Sequence, residues 1–243
     1  MGKCLFMRKG EVHTAPISGI LASDLAVGST VKLMENGVAA EYLVVNQGIP
    51  SNSTLYDASC NGTWLLRKDI KEKRQWHSSN SNSYKASTIH SYLNSTFLGL
   101  LDSDIQSVIK QVKIPYVNGT ANAAVASGAS GLSTKVFLLG GYEVGFTTSI
   151  NQYFPIDGAR LSYFQDGSGA AALGLRNAYL NGSAADWWLR SPRTLNATYA
   201  WGVYTDGNNG TFGCTASCGV RPALILPSNA LFDAETLILK GVA

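Results

Sequence analysis

Two demanding blocks near the C-terminal end constrain this chain more than anything else in it. The first is Trp187-Trp188-Leu189-Arg190-Ser191-Pro192 and the second is Gly219-Val220-Arg221-Pro222-Ala223. In an extended run, alternate side chains point to opposite faces, so Trp187 and Leu189 share one face and Trp188 and Arg190 the other. An arginine flanked by tryptophans implies either stacking on a ring or a buried hydrogen-bond hub. Pro192 and Pro222 fix the chain direction at the two ends. Trp187, Trp188, Arg190 and Arg221 therefore read as framework.

Between the blocks, residues 194–218 are a run of Asn, Thr, Tyr, Ala, Gly and Asp that no such demand shapes. Its aromatic and small polar residues are the mixture that lets antibody loops bind: stiff contact area from Tyr and Trp, adaptable polarity from Ser, Gly and Asn. The candidate ligand-binding residues are Tyr199, Trp201, Tyr204, Asn208, Asn209, Thr211, Phe212 and Thr215. Strand alternation puts Tyr199, Trp201 and Val203 on one face and Ala200, Gly202 and Tyr204 on the other. The expectation is that one face is core while the other face and the turn are exposed.

Composition supports a binding surface over a metabolic enzyme. Charged residues make up 14% of the 243, against about 25% in an average domain. Ser, Thr, Asn and Gly supply the missing polarity, a pattern of extracellular and virion surfaces. The net charge of +3 is too small to indicate nucleic acid. The run Lys71-Glu72-Lys73-Arg74 is diluted by its acid and reads as a solvated face. No apolar stretch reaches the ~18 residues of a membrane span, and no secretory signal is visible. The length suits one large domain, or one domain with an appendage.

Along the chain, residues 1–28 are punctuated by Gly10, Pro16, Gly19 and Gly28 and read as a β-rich N-terminal arm for attachment or oligomerisation. Residues 29–243 form the ligand-binding domain. Two β-rich runs flank Asn36-Gly37, a strong hairpin signal, and residues 63–70 are a third strand. Ser87 caps a helix with Ile89, Tyr92, Leu93 and Phe97 on one face. A second helix follows Asp102-Ser103 and ends before Pro115. Residues 117–134 read as a long loop, and 135–139 as a buried strand ending at Gly140-Gly141. Short helices are expected near 159–164 and 170–180. Strands follow at 187–190, 199–205 and 220–226, and a closing hairpin at 230–239. Helices first and short antiparallel strands later make an α+β chain.

Signals of chemistry are weak. No GxSxG, HExxH, P-loop or GxGxxG motif is present, and His13, His77 and His90 stand in no catalytic pattern. Cys4, Cys60, Cys214 and Cys218 lack zinc spacing. Neither a metal nor a cofactor is expected. A thiol enzyme using Cys214 and Cys218 is the weakest alternative.

The Ser87-Thr-Ile-His-Ser-Tyr-Leu-Asn helix with Phe97 following, Val136-Phe-Leu-Leu with Glu143 after it, WWLRSP and GVRPAL together resemble a domain-of-unknown-function family of gut bacteria and their tailed phages. The opening MGKCLFMRKGEVHTAP is similar to that of phage tail-associated members. The resemblance implies a C-type-lectin-like fold with two helices, related to formylglycine-generating enzymes and to the variable proteins of diversity-generating retroelements. In the latter, a hypervariable segment precedes a motif similar to Gly219-Val-Arg-Pro-Ala. It implies a virion protein of the phage tail, made in the bacterial cytoplasm and acting in host attachment. Its partners would be a host cell-surface receptor, protein or glycan, other tail proteins, and sister chains in a homo-oligomer. Neither Glu-Pro-Asn nor Gln-Pro-Asp occurs, so calcium-dependent sugar binding does not carry over. Nor does the enzyme relatives' cysteine chemistry, because Cys214 and Cys218 differ in spacing and context. The expectation is a non-enzymatic receptor-binding protein, with a structural decoration or tail-assembly protein as the alternative.

Overall fold

The computed structural model describes residues 19–51, 54–119, 124–148, 151–165 and 168–243. The opening motif, most of the N-terminal arm, Cys4 and His13 lie outside the described residues.

Two five-stranded sheets carry the chain. Sheet I runs in the order Val136–Phe137, Ala223–Leu226, Thr63–Arg67, Val38–Gln47, Thr30–Glu35, antiparallel throughout. The last two strands meet at Asn36-Gly37, where φ is 51° and 74°. Two successive positive φ values are the type I′ geometry that matches strand twist, which is why Asn-Gly stands there. Sheet II runs Asn209–Gly213, Tyr199–Val203, Trp187–Pro192, Ser217–Val220, Glu72–Gln75. Its one parallel neighbour pair is Trp187–Pro192 with Ser217–Val220.

The sheets are joined by a ribbon that crosses from one to the other. Thr63–Arg67 and Ala223–Leu226 pair in sheet I, while Glu72–Gln75 and Ser217–Val220 pair in sheet II. The break falls at residues 68–71 on one side and at Arg221-Pro222 on the other. Pro222 has no N–H to give to a ladder, and the Arg67 carbonyl accepts instead from Arg221 Nε at 2.9 Å. One sequence element, GVRPAL, thus builds a strand of each sheet and the corner between them.

A third sheet of Gly19–Leu21, Ala230–Asp233 and Leu239–Val242 brings together the two ends of the described chain. Small pairs complete the structure: Val112–Ile114 with Leu132–Thr134, Tyr116–Val117 with Val125–Ala126, and Tyr179–Leu180 with Ser183–Ala184.

Helix is scarce among the described residues. Ser87 Oγ accepts from His90 N at 3.1 Å and caps a helix that runs from Thr88 to Leu100, with a π turn over Leu93–Phe97. Ile89, Leu93 and Phe97 are buried, as their spacing demands. Short helices follow at Ser103–Val108 and Ala170–Arg176.

This overturns the expected α+β, C-type-lectin-like fold with two helices. The chain is a β-rich, multi-sheet protein. Residues 159–164 are irregular with one turn at 162–163 rather than a helix, and the expected loop at 117–134 contains strands that pair with 112–117. Helices leave a local periodicity in sequence, whereas two- and three-residue strands are defined by distant partners and leave almost none. The charged Glu72–Gln75, read as a solvated face, is an edge strand of sheet II, where polar side chains are tolerated on the open side.

All five tryptophans are buried, Trp64, Trp76, Trp187 and Trp188 completely and Trp201 at 2% exposure. The Trp187–Pro192 strand is buried along its whole length.

Candidate ligand-binding surface

The centre of the frame is a hub on Arg190. Its Nη1 and Nη2 donate to Glu143 Oε2 and Oε1 at 2.5 and 2.6 Å. Nε donates to Pro115 O at 3.0 Å, Nη1 also to Leu138 O at 3.1 Å, and Nη2 also to Asp157 O at 2.6 Å. All five guanidinium donors are used. Burial alone would lower the Arg190 pKa; the Glu143 charge and hydrogen bonds outweigh it and hold it above its ordinary value. Glu143 accepts further from Tyr56 Oη at 2.9 Å and Gly140 N at 2.9 Å.

Asp157 sits beside this pair, completely buried, and accepts from Ser191 Oγ at 2.8 Å. Ser191 Oγ in turn accepts from Gly141 N at 2.8 Å. Burial pushes the Asp157 carboxyl up to about 6, against the opposing pull of Arg190. Arg190 and Glu143 already neutralise each other, so a proton on Asp157 is what makes the trio neutral.

Of the two readings for Arg190, stacking or a hub, the structure shows the hub; stacking falls to Arg221, its guanidinium carbon 4.9 Å from the Trp187 ring centre. Trp187 Nε1 donates to Arg176 O at 2.9 Å and Trp188 Nε1 to Arg74 O at 2.8 Å, so neither indole leaves a buried donor unmet.

Against this frame, Tyr199–Val203 and Asn209–Gly213 form an antiparallel hairpin at the edge of sheet II. The register sets its two faces. Trp201 faces inward and does not reach the surface: its ring stacks on Phe154 at 3.8 Å between centres and its Nε1 donates to Tyr153 O at 3.1 Å. It is core, because strand alternation places it with Trp187 and Val203. On the opposite face an aromatic row leads outward from the core. Phe212 meets Trp188 edge-on at 5.4 Å, and Tyr204 meets Phe212 the same way at 5.4 Å. Gly202 and Gly210 make room for it: a Cβ at Gly202 would lie 2.7 Å from the Phe212 ring, and one at Gly210 2.7 Å from the Tyr204 ring.

Tyr204 is 40% exposed and Tyr199 37%. Asn208, Asn209, Thr211 and Phe212 are half-buried and Thr215 is exposed. The turn is ordered by its own side chains. Asp206 accepts from Asn208 Nδ2 at 2.9 Å and from Asn208 N at 3.0 Å, bonds that hold the Asp206 carboxyl below its usual range. Gly207, at φ 82°, lies so close to the Ala170–Arg176 helix that a Cβ there would stand 2.1 Å from Leu173 O. The turn is seated on that helix.

Thr215 lies on the loop that leads to the Ser217–Val220 strand, and its carbonyl accepts from Gln75 Nε2 at 2.9 Å. Beside it runs a groove of about 410 Å³ lined by Lys73, Arg74, Gln75, Ser78, Thr88 and Ser217. The sequence reading missed this groove, because its lining comes from three separate segments. In the sequence Glu143 stands out only as part of a motif, and Asp157 and Tyr56 carry no local signal.

The reactive-residue candidates are placed unfavourably for nucleophilic chemistry. Cys214 and Cys218 are buried and free, and burial pushes both thiols up to about 12. His90 packs against Tyr84 at 5.2 Å, and burial lowers its pKa. Among the described residues no three His, Cys, Asp or Glu side chains converge as a metal site, and no helix is long and apolar enough to cross a membrane.

Fold and surface together define a β-rich domain that holds an ordered aromatic hairpin on a saturated arginine hub. The chain belongs to the family Domain of unknown function (DUF6273), whose model matches residues 61–228. The match begins just before the Thr63–Arg67 strand and ends just after Ala223–Leu226, so it takes in the whole crossing ribbon and all of sheet II. No curated protein and no solved structure matches the chain.

Proposed function

We propose that this protein is a non-enzymatic binding domain whose contact surface is the outer side of the 199–215 segment. The observation that carries the reading is the aromatic row. Tyr204 and Phe212 are braced through Trp188 to the core, yet Tyr204 stays open to solvent beside Asn208. Rigid, partly exposed aromatics next to small polar groups give contact area at low entropic cost. The resemblance of WWLRSP and GVRPAL to proteins of gut bacteria and their tailed phages supports host attachment from a phage tail, with a cell-surface protein or glycan as the ligand. Trp201 is not part of the contact surface on this reading.

The test is to replace Tyr199, Tyr204, Asn208 and Thr215 together with Ala and to leave Phe212, which packs on Trp188. Binding to intact bacterial cells and to a glycan array is then compared with the parent chain, with thermal unfolding as the control for fold. A loss of at least tenfold at unchanged unfolding temperature is expected. Undiminished binding by the folded variant would remove the segment as the contact surface. An oligomer whose own chains bury residues 199–215 would favour a structural virion protein instead.

A further inference from the structure

Sheet II has two outer strands, and their edges differ. At one, Glu72–Gln75 presents Glu72, Lys73 and Arg74. At the other, Asn209–Gly213 carries no charge, and neither does any residue of the surrounding stretch 207–220. Charges, prolines and bulges are what usually keep an exposed edge from pairing with another chain. Asn209–Gly213 has no charge and no proline, and its register with Tyr199–Val203 runs without a bulge.

The same register fixes which backbone groups face outward. Just beyond the two ends of the paired strands, Tyr204 N donates to Asn208 O at 2.8 Å and Cys214 N to Thr198 O at 2.9 Å. Antiparallel bonds fall on every second pair, so the bonded pairs between them are Gly202 with Gly210 and Ala200 with Phe212. The N–H and C=O groups of Asn209, Thr211 and Gly213 therefore point away from the sheet. The Gly213 carbonyl accepts from Ala216 N at 2.8 Å. The other outward groups of these three residues have no partner among the described residues. Donors and acceptors repeating at every second residue are what another extended backbone meets.

We propose that two copies of this chain pair edge to edge and antiparallel through Asn209–Gly213, joining their five-stranded sheets into one continuous sheet. The strand is self-complementary in that register. Thr211 meets Thr211 of the second copy at the two-fold axis, and Asn209 meets Gly213 of the second copy, so outward groups face outward groups. No like charges are brought together. Phe212 falls opposite Gly210 of the second copy, a ring against a position without a side chain. One short strand from each chain places the contact at the weak, transient end of protein interfaces. The pairing stands on the edge of the strand and not on the reading of its face. The side chains at 199, 204, 208 and 215 lie outside the paired residues, and chain association is measured separately from cell binding.

Sedimentation velocity of the full chain from about 10 µM to about 1 mM spans the affinities of such weak contacts and should show a reversible monomer–dimer equilibrium. Thr211→Pro removes an outward N–H and no bond of the sheet, a change an edge strand tolerates. It should weaken dimerisation at least tenfold at unchanged unfolding temperature. Cross-linking reads the register. Cys60, Cys214 and Cys218 are buried, so in a Cys4→Ser background an added surface thiol is the reactive one. Directly bonded antiparallel residues stand about 5.5 Å apart at Cα, within the reach of a disulfide. Thr211→Cys should therefore form covalent dimers under diamide at least tenfold faster than Thr215→Cys, whose exposed side chain lies beyond the strand. A chain that stays monomeric throughout, association undiminished in Thr211→Pro, or equal cross-linking at 211 and 215 would each overturn the proposal.

Discussion

Arg190 shows how much one side chain can organise. Its five hydrogen bonds tie residues 115, 138, 143 and 157 to the central strand of sheet II. Replacing it with Met would leave the Glu143 carboxylate buried beside no cation. Loss of one partner from such a pair costs about 3–5 kcal/mol, so Arg190→Met should shift the urea midpoint strongly downward. The double variant with Glu143→Gln should recover part of the loss, because a neutral amide is cheaper to bury. An unchanged midpoint in the single variant would refute the hub's structural role. The sequence left Arg190 either stacked or a hydrogen-bond hub, and could not decide between them because the deciding partner, Glu143, stands 47 residues away.

At the scale of elements, the hairpin depends on two glycines whose absent side chains are filled by neighbouring rings. Gly202→Ala would place a methyl group 2.7 Å from Trp187 O and the same distance from the Phe212 ring. Overpacking of this kind costs about 1–3 kcal/mol, and a lowered unfolding temperature with altered Trp188 fluorescence is the expected result. Elements with a local grammar were legible beforehand: the Asn36-Gly37 turn, the Ser87 cap with its buried Ile89, Leu93 and Phe97, and the extended run at 187–190; the run expected at 220–226 is broken at Arg221-Pro222, where the chain passes from one sheet to the other. Elements defined from a distance were not. Glu72–Gln75 has the composition of a surface and becomes a strand because Ser217–Val220 pairs with it. Leu132–Thr134 lies in a Gly/Ser-rich stretch and is a strand only because Val112–Ile114 is opposite. The apparent balance of helix and strand tipped toward β for this reason. Strand alternation placed Tyr199, Trp201 and Val203 on one face and Ala200, Gly202 and Tyr204 on the other, but did not say which face is core. Trp201 belongs to the core by a register that only the paired strands fix.

For the molecule as a whole, the hub makes stability depend on pH in an unusual direction. The Asp157 carboxyl titrates near 6 when folded, above its ordinary value of 3.8. Between those two values the folded state holds a proton that the unfolded chain has released, so this group's contribution falls as pH rises through that window. It is largest below about pH 4 and has been lost above about pH 6. The span of the shift corresponds to a contribution on the order of 3 kcal/mol. Asp157→Asn should therefore be more stable than the parent at pH 7, and that advantage should shrink as the pH is lowered toward 4. Unfolding midpoints that run parallel for the two proteins across this range would contradict the assignment. The order of strands in sheet II carries a separate consequence. The hairpin at its edge is paired to the rest of the sheet only through the Trp187–Pro192 strand, whereas that strand is enclosed on both sides. Amide hydrogens of Asn209–Gly213 should then exchange with solvent well ahead of those of Trp187–Arg190. The outer ribbon can open briefly and close again while the remainder holds its shape, giving the domain a soft rim on a hard centre.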